Sequence, residues 1–135
     1  MSAPSIDCGT PAGTLRVRVA RDFVARARGL LFATPLGRSE GLLIAPCSSI
    51  HTFGMGYPID VIFLDRRARI VRVCARVPAG RVRFGWGAAA VLETQAGQAA
   101  HQGLVEGVQL DALRPRLESP WHKLKRRIMQ LISNL

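Results

Sequence analysis

The chain has 135 residues, 48% hydrophobic and 21% charged, a composition typical of a globular domain and unlike that of a disordered or fibrous chain. No apolar run approaches the roughly 20 residues that span a bilayer. The first residues contain neither a basic leader nor the apolar segment of a secretory signal. We therefore expect one cytoplasmic domain with a single hydrophobic core.

The charge balance is strongly basic, with a net charge of +10 and 19 Lys and Arg residues against 9 Asp and Glu. Such an excess can serve an acidic partner, either nucleic acid or anionic lipid. The arginines are dispersed over predicted strand faces and turns, however, and no nucleic-acid-binding motif accompanies them. The sequence therefore disfavours nucleic acid as the partner.

The three cysteines, Cys8, Cys47 and Cys74, form neither a CxxC pair nor an even framework. In a reducing compartment this pattern indicates free thiols. Cys74 lies in an apolar strand pattern and is predicted to be in the core. Cys8 lies in a Gly- and Pro-rich segment, residues 1–13, which we interpret as a flexible leader.

The first half of the chain alternates in the manner of β-strands. TLRVRVA (14–20) places apolar and arginine side chains on opposite faces. A short helix is predicted near residues 22–31, with Asp22 as its N-cap, followed by a short strand in GLLIAP. PIDVIFLD (58–65) is apolar on both faces, which predicts a strand inside the sheet.

The second half continues the β pattern. DRRAR is predicted to turn the chain into the antiparallel strand RIVRVCARV. AVLETQ is predicted to be a strand, AGQAAHQGL a short helix or turn stopped by Gly103, and GVQLDAL a last strand. Residues 14–112 are therefore expected to form a single, mainly β domain of the sandwich or barrel type.

Residues 113–135 form a separate basic segment in which Trp121, Leu124, Ile128, Leu131 and Leu135 recur at helical spacing. The sequence has no carboxylate after Glu118. This pattern predicts an amphipathic C-terminal helix. It could dock on its own domain, or residues 119–135 could bind an anionic membrane surface or a partner protein and make the chain membrane-peripheral.

Asp60 is the most informative residue of the central segment CSSIHTFGMGYPIDVIFLD (47–65), because its strand register carries a carboxylate into an apolar layer. A buried carboxylate needs hydrogen-bond donors, such as backbone N–H groups or a neighbouring side chain. His51 and Thr52 are the nearest candidates in sequence. Glu93 shares an inward alternation, so Asp60 and Glu93 could in principle act as an acid and base pair.

Cys47 and His51 could form a nucleophile and base, which makes Asp60, His51 and Cys47 the catalytic candidates. Cys47, His51 and Met55 are also ligand types that suit copper. The Gly and Pro residues around them argue against a helix that would align them, so the sequence supports no metal site and no cofactor.

The order of these segments resembles the family called domain of unknown function 192, over about residues 14–112. The resemblance is carried by Phe53, Met55 and Pro58-Ile59-Asp60, and by Leu92-Glu93 followed by Ala96-Gly97. It implies a small β-sandwich-like fold with a short helix and supplies no activity. Relatives in this family with a Trp-Met-Lys-Asn-Thr-like segment lack the Cys and His, which makes Asp60, Met55 and Glu93 better candidates for a shared role.

The sequence thus favours a small binding or accessory domain that is not an enzyme. Its predicted ligand or partner, a small molecule or a protein, would contact six residues: His51, Thr52, Phe53, Met55, Asp60 and Glu93. The alternatives are a small hydrolase-like enzyme using Asp60 and His51, with or without Cys47, and a protein that binds a soft metal.

Overall fold

The computed structural model describes residues 5–20 and 35–135. The strands are β1 (Ser5–Thr10), β2 (Gly13–Val19), β3 (Glu40–Ile44), β4 (Ser49–His51), β5 (Ile59–Leu64), β6 (Ile70–Val77), β7 (Val82–Phe84) and β8 (Ala90–Gln95). The helices are α1 (Gln98–His101), a 3₁₀ helix (Asp111–Arg116) and α2 (Pro120–Ser133). The predicted mainly β class with a C-terminal helix is confirmed. The helix predicted for residues 22–31 lies outside the described residues.

Six strands form one mixed sheet in the order β1-β2-β3-β8-β5-β6. β2 and β3 run parallel, and the other neighbours in this sheet run antiparallel. The sheet is open, with β1 and β6 at its edges, and β4 and β7 pair separately as a two-stranded ribbon. The strand predicted from PIDVIFLD is internal, because β5 pairs with β8 on one side and β6 on the other.

The alternation of β5 divides the interior into two cores, because every residue of this strand is buried. Ile62 and Leu64 face the first core, which α1 and the 3₁₀ helix help to cover through Ala99 and Leu113. The opposite face of the strand contributes to the second core, which the ribbon joins through Ile50. The main members of the second core are Ile50, Met55, Ile59, Val61, Phe63 and Val91.

The predicted flexible leader is wrong for residues 5–10, which form the edge strand β1. The Gly- and Pro-rich stretch is the turn of a hairpin. Thr10, the last residue of β1, pairs with Gly13, the first residue of β2. Cys8 is fully buried in the first core. Burial, with a smaller effect of the nearby Asp111 charge, raises the pKa of this thiol to about 11.

The predicted last strand in GVQLDAL is also wrong. An isolated bridge between Arg69 and Gln109 is the β-pairing of this segment, and the chain then enters the 3₁₀ helix. Leu110 and Leu113 are both fully buried, and a spacing of three residues suits a 3₁₀ turn. Docking these two side chains on the first core replaces further strand pairing.

Candidate functional site

Asp60 is completely buried, and both of its carboxylate oxygens are bound by backbone N–H groups. Its Oδ1 accepts a hydrogen bond from Arg76 N at 2.8 Å. Its Oδ2 accepts from Gly97 N and Ala99 N, each at 2.9 Å. Of the donor types that the sequence left open, backbone N–H groups hold this carboxylate, and they come from β6 and the start of α1, not from His51 or Thr52.

This arrangement gives Asp60 a structural role at a junction of three elements. Arg76 has a φ of 51°, a left-handed conformation that L-residues seldom adopt, and its N–H points to the carboxylate. Gly97 and Ala99 supply N–H groups at the N-terminus of α1, where a helix leaves its first donors without intrahelical partners. Asp60 thus fastens α1 and the end of β6 to the sheet.

Asp60 and Glu93 lie on opposite faces of the sheet. Asp60 is opposite Thr94 in the pairing of β5 with β8, whereas Glu93 is opposite Val61, one residue further along. Because cross-strand partners share a face and neighbours alternate, Glu93 faces the second core and Asp60 the first. The structure therefore does not bring these carboxylates together as an acid and base pair.

Cys47 lies between β3 and β4, where its thiol donates a hydrogen bond to the Ser49 carbonyl oxygen at 3.0 Å. Burial raises the pKa of this thiol, a hydrogen-bonding effect of the Ser49 backbone on the thiolate lowers it in part, and the Glu93 charge raises it further. Burial and the Glu93 charge also raise the pKa of Tyr57. A thiol with a raised pKa is held in its protonated form, which is the opposite of what a nucleophile needs.

Thr52 is fully buried and fastens the loop after β4 to the segment before β7. Its hydroxyl donates to the Pro78 carbonyl at 2.7 Å and accepts from Arg81 N at 2.9 Å. Its backbone N–H donates to the Arg81 carbonyl at 2.8 Å. Because these bonds use the hydroxyl both as donor and as acceptor, the structure gives Thr52 a role in holding the ribbon.

The remaining predicted contact residues separate into exposed and buried positions. His51 and Phe53 are exposed and stack on each other, with ring centroids 5.5 Å apart and an interplanar angle of 29°. Met55 is 9% exposed and packs in the second core. Of the six residues predicted to contact a ligand, His51 and Phe53 are therefore the two that lie at the surface.

The ribbon carries these two rings and three apolar side chains that the sequence-based site omitted. His51 is opposite Val82 in the strand pairing, and Phe84 lies two residues further along the same face of β7. Phe84 meets Trp86 edge-on, with ring centroids 5.9 Å apart. We call this surface the ribbon patch: His51, Phe53, Val82, Phe84 and Trp86. The spacing of Val82, Phe84 and Trp86 at every second residue was the signal for it in the sequence.

Gly85 allows the ribbon to pack closely against the second core. A Cβ atom at this position would overlap the ring of Phe63, which is itself fully buried. The N–H of Gly85 donates to the Ser48 carbonyl at 2.9 Å, next to the start of β4. The absence of a side chain here lets the ribbon backbone lie directly against the aromatic ring.

A cleft of about 1130 Å³ lies elsewhere, beside the β5–β6 turn and the start of α2. It includes Cys47 but none of the six predicted contact residues. Its charged lining residues are Asp65, Arg66, Arg67, Arg69, Arg116 and Glu118. Asp65 accepts hydrogen bonds from Arg67 N and Arg69 N, so it shapes the turn that carries the arginines.

Two further findings bear on the predicted chemistry. Within residues 5–20 and 35–135, no three His, Cys, Asp or Glu side chains are grouped so that they could hold a metal ion. No helix in the described part of the chain has the length and hydrophobicity required to cross a membrane.

The chain matches the model of a known protein family. The family model of domain of unknown function 192 (DUF192), described as uncharacterized ACR, matches residues 7–112. The chain belongs to the DUF192 family. The matched range contains Asp60, Thr52 and the whole ribbon patch, whereas helix α2 lies outside it.

One relative in sequence and one solved structure are similar to this DUF192 chain. The UPF0127 protein PH1112 of Pyrococcus horikoshii is 43% identical over 67 residues, which are 46% of this chain and 56% of that protein's length. A crystal structure of a protein of unknown function from Novosphingobium aromaticivorans has a TM-score of 0.63 at 26% identity, over 76% of this chain and 80% of that one.

A second solved structure agrees in fold. A protein from Sinorhizobium meliloti, described as a candidate transcription regulator, has a TM-score of 0.69 at 20% identity. The similarity covers 82% of this chain and 95% of that one. At this identity the similarity shows the fold shared with the DUF192 domain and nothing about activity.

Proposed function

We propose that this DUF192 chain is a non-catalytic binding domain whose ribbon patch holds an apolar segment of an acidic protein partner. The observation that carries the proposal is the exposure of Phe53, Val82, Phe84 and Trp86, which are 54%, 58%, 48% and 87% exposed. The pairing of β4 with β7 and the two ring contacts join these side chains into one surface. Contiguous exposed apolar side chains on a globular domain mark interaction sites. Aromatic residues dominate the binding energy of such sites.

The chemistry of the three catalytic candidates supports a binding role over an enzymatic one. The Asp60 carboxylate is buried and occupied by backbone donors. The Cys47 thiol has a raised pKa. His51 stacks on Phe53 at the surface. The alternative of a small hydrolase that uses these residues therefore has no geometric support.

The charge around the ribbon supports an acidic partner. From residue 66 to residue 92 the chain contains seven arginines and no carboxylate. Arg81 and Arg83 belong to or border β7, and Arg72 donates to the Phe84 carbonyl. A positive field around an apolar patch favours the approach of a negatively charged segment.

Protein is favoured over single-stranded nucleic acid, although aromatic side chains and arginines serve both. One terminal nitrogen of each of Arg72, Arg81 and Arg83 donates to a backbone carbonyl next to the ribbon, which holds these guanidinium groups close to the protein surface. The aromatic rings contact each other in pairs, which reduces the free faces that bases could stack on.

The test is a selection of displayed random peptides on the full chain, followed by affinity measurements on the selected peptides. We expect enrichment of peptides with an aromatic or aliphatic anchor flanked by acidic residues. Trp86→Ala should weaken their binding by at least about thirtyfold, the effect expected for truncation of an aromatic hot spot. Val105→Ala is the matched control, because Val105 is 60% exposed and lies outside the patch.

Two results would overturn the proposal. One is a selection that enriches no peptides of this kind, or enriched peptides that bind the Trp86→Ala variant as tightly as they bind the unaltered chain. The other is tight binding of a single-stranded oligonucleotide that Trp86→Ala abolishes, which would assign the patch to nucleic acid. The variant Trp121→Phe leaves Trp86 as the only tryptophan, so its fluorescence reports either event at the patch directly.

A further inference from the structure

Helix α2 exposes its whole apolar face. None of its residues is buried, and Trp121, Leu124, Ile128, Leu131 and Ile132 are between 45% and 77% exposed. These side chains recur at spacings of three and four residues, so they form one continuous stripe along the helix. The stripe is an apolar surface without a partner in the part of the chain that the structure describes.

The rest of the helix is cationic. Lys123, Lys125, Arg126 and Arg127 fall within it, and no Asp or Glu occurs after Glu118. Arg126 pairs with Glu118 through two contacts, at 3.0 and 2.5 Å. Lys123, Lys125 and Arg127 form no ion pair with any of the described residues. At helical spacing, Lys125 lies along one side of the apolar stripe and Arg127 along the other.

The helix begins at a fixed point on the domain. Leu117 is 8% exposed and packs in the first core, and Ser119 is the N-cap, accepting a hydrogen bond from His122 N. Ser119 and Pro120 also line the cleft that carries Arg66, Arg67 and Arg116, all three of which are exposed. The helix therefore starts beside a second group of positive charges that belongs to the β domain.

Charge complementarity decides between the two simplest occupants of the apolar stripe. A second copy of the chain would bring the same unpaired cations to the edges of a helix–helix contact, where like charges repel. An anionic lipid surface would receive the apolar side chains between its headgroups and pair with the flanking cations. Trp121 is also a side chain that favours the boundary between membrane and water.

We propose that α2 is an interfacial helix that binds the surface of an anionic membrane and holds the β domain beside it. Trp121, Leu124, Ile128 and Leu131 enter the headgroup boundary. Lys125 and Arg127 extend to the lipid phosphates from the two edges of the stripe. This inference is independent of the partner proposed for the ribbon patch.

The experiment uses the full chain with Trp86→Phe, which leaves Trp121 as the only tryptophan. Vesicles of mixed phosphatidylcholine and phosphatidylglycerol should shift its emission to shorter wavelength, and pure phosphatidylcholine vesicles should bind far more weakly. Lys125→Gln with Arg127→Gln should lower the affinity by roughly twentyfold or more, since each charge near the surface contributes about fivefold. Added salt should weaken binding.

The matched pair Leu131→Glu and Gln130→Glu separates insertion from simple charge attraction. Both variants add one negative charge, but Leu131 lies in the stripe and Gln130 on the opposite side. We expect Leu131→Glu to abolish binding and Gln130→Glu to reduce it by only about fivefold. Equal losses, or no emission shift on anionic vesicles, would overturn the proposal. So would a dimer in sedimentation that Leu131→Glu dissociates, because the stripe would then be a contact between copies.

Discussion

The Asp60 carboxylate and the Gly97 backbone are joined by a hydrogen bond of 2.9 Å that connects the centre of the sheet to the start of α1. The two residues are 37 positions apart in the chain. The same Oδ2 atom also binds Ala99 N, so one oxygen satisfies two of the N–H groups that a helix leaves unpaired at its start.

Asp60→Asn should therefore destabilise the fold. An amide has one acceptor oxygen and places an NH₂ group against a backbone donor, so at least one buried N–H loses its partner. We expect a loss of about 2–4 kcal/mol in the free energy of unfolding. Chemical denaturation measures it, and Asp65→Asn, in a more exposed turn, is the control with a cost of about 1 kcal/mol. Equal stability of Asp60→Asn and the unaltered chain would contradict this structural role.

Thr52→Val should loosen the ribbon. The substitution keeps the shape of the side chain but removes the hydroxyl that binds the Pro78 carbonyl and Arg81 N. We expect a loss of about 1–3 kcal/mol in the free energy of unfolding, because buried polar groups are left unsatisfied. Thr52→Ser retains the hydroxyl and is the control. Faster amide hydrogen exchange near residue 81 in Thr52→Val, but not in Thr52→Ser, would locate the effect at the ribbon.

Gly85→Ala should displace the ribbon from the second core, since the new methyl group would overlap the Phe63 ring. We expect a cost of about 1–3 kcal/mol, the range for overpacking a tight interior. Gly56→Ala is the matched control, because a Cβ there would meet nothing within 4 Å. If thermal or chemical unfolding gave the two variants the same stability, the proposed contact between the ribbon backbone and Phe63 would be wrong.

Cys47 should react slowly with alkylating reagents at neutral pH. Its raised pKa, due first to burial and then to the Glu93 charge, keeps the thiolate fraction below that of an ordinary thiol. The rise of the alkylation rate with pH should therefore have its midpoint above the usual thiol pKa. Glu93→Gln should move that rise to lower pH by removing one of the causes. Mass spectrometry of the Cys47 peptide across a pH series measures both effects, and rapid alkylation near pH 7 would refute them.

Much of the β architecture could be predicted, because its signals are local. The alternation in residues 14–20 and 58–65 indicated β2 and β5, and the charged turn after residue 64 indicated the β5–β6 hairpin. The spacing of apolar residues after Pro120 indicated α2. The Gly- and Pro-rich segment after Thr10 misled because the same residues that suit a flexible leader also suit a hairpin turn.

The candidate site was less predictable, because its contacts join distant parts of the chain. Asp60 was correctly singled out as a buried carboxylate, but its donors at Arg76, Gly97 and Ala99 depend on how the sheet is threaded. The ribbon patch depends on pairing between residues near positions 50 and 83. Each strand of that ribbon has three residues, so the alternation of Val82, Phe84 and Trp86 was a short local signal that did not indicate the partner strand.

The sequence by itself determined the family, the mainly β class and the amphipathic character of the C-terminal helix, since these follow from local order, period-2 alternation and helical spacing. Tertiary structure alone decided which of the other side chains around Asp60 face water. It buried Thr52 and Met55 and left His51, Phe53 and Trp86 exposed. The physical reason is that burial is a property of the assembled layers: a side chain is covered only when an element from elsewhere in the chain packs over it.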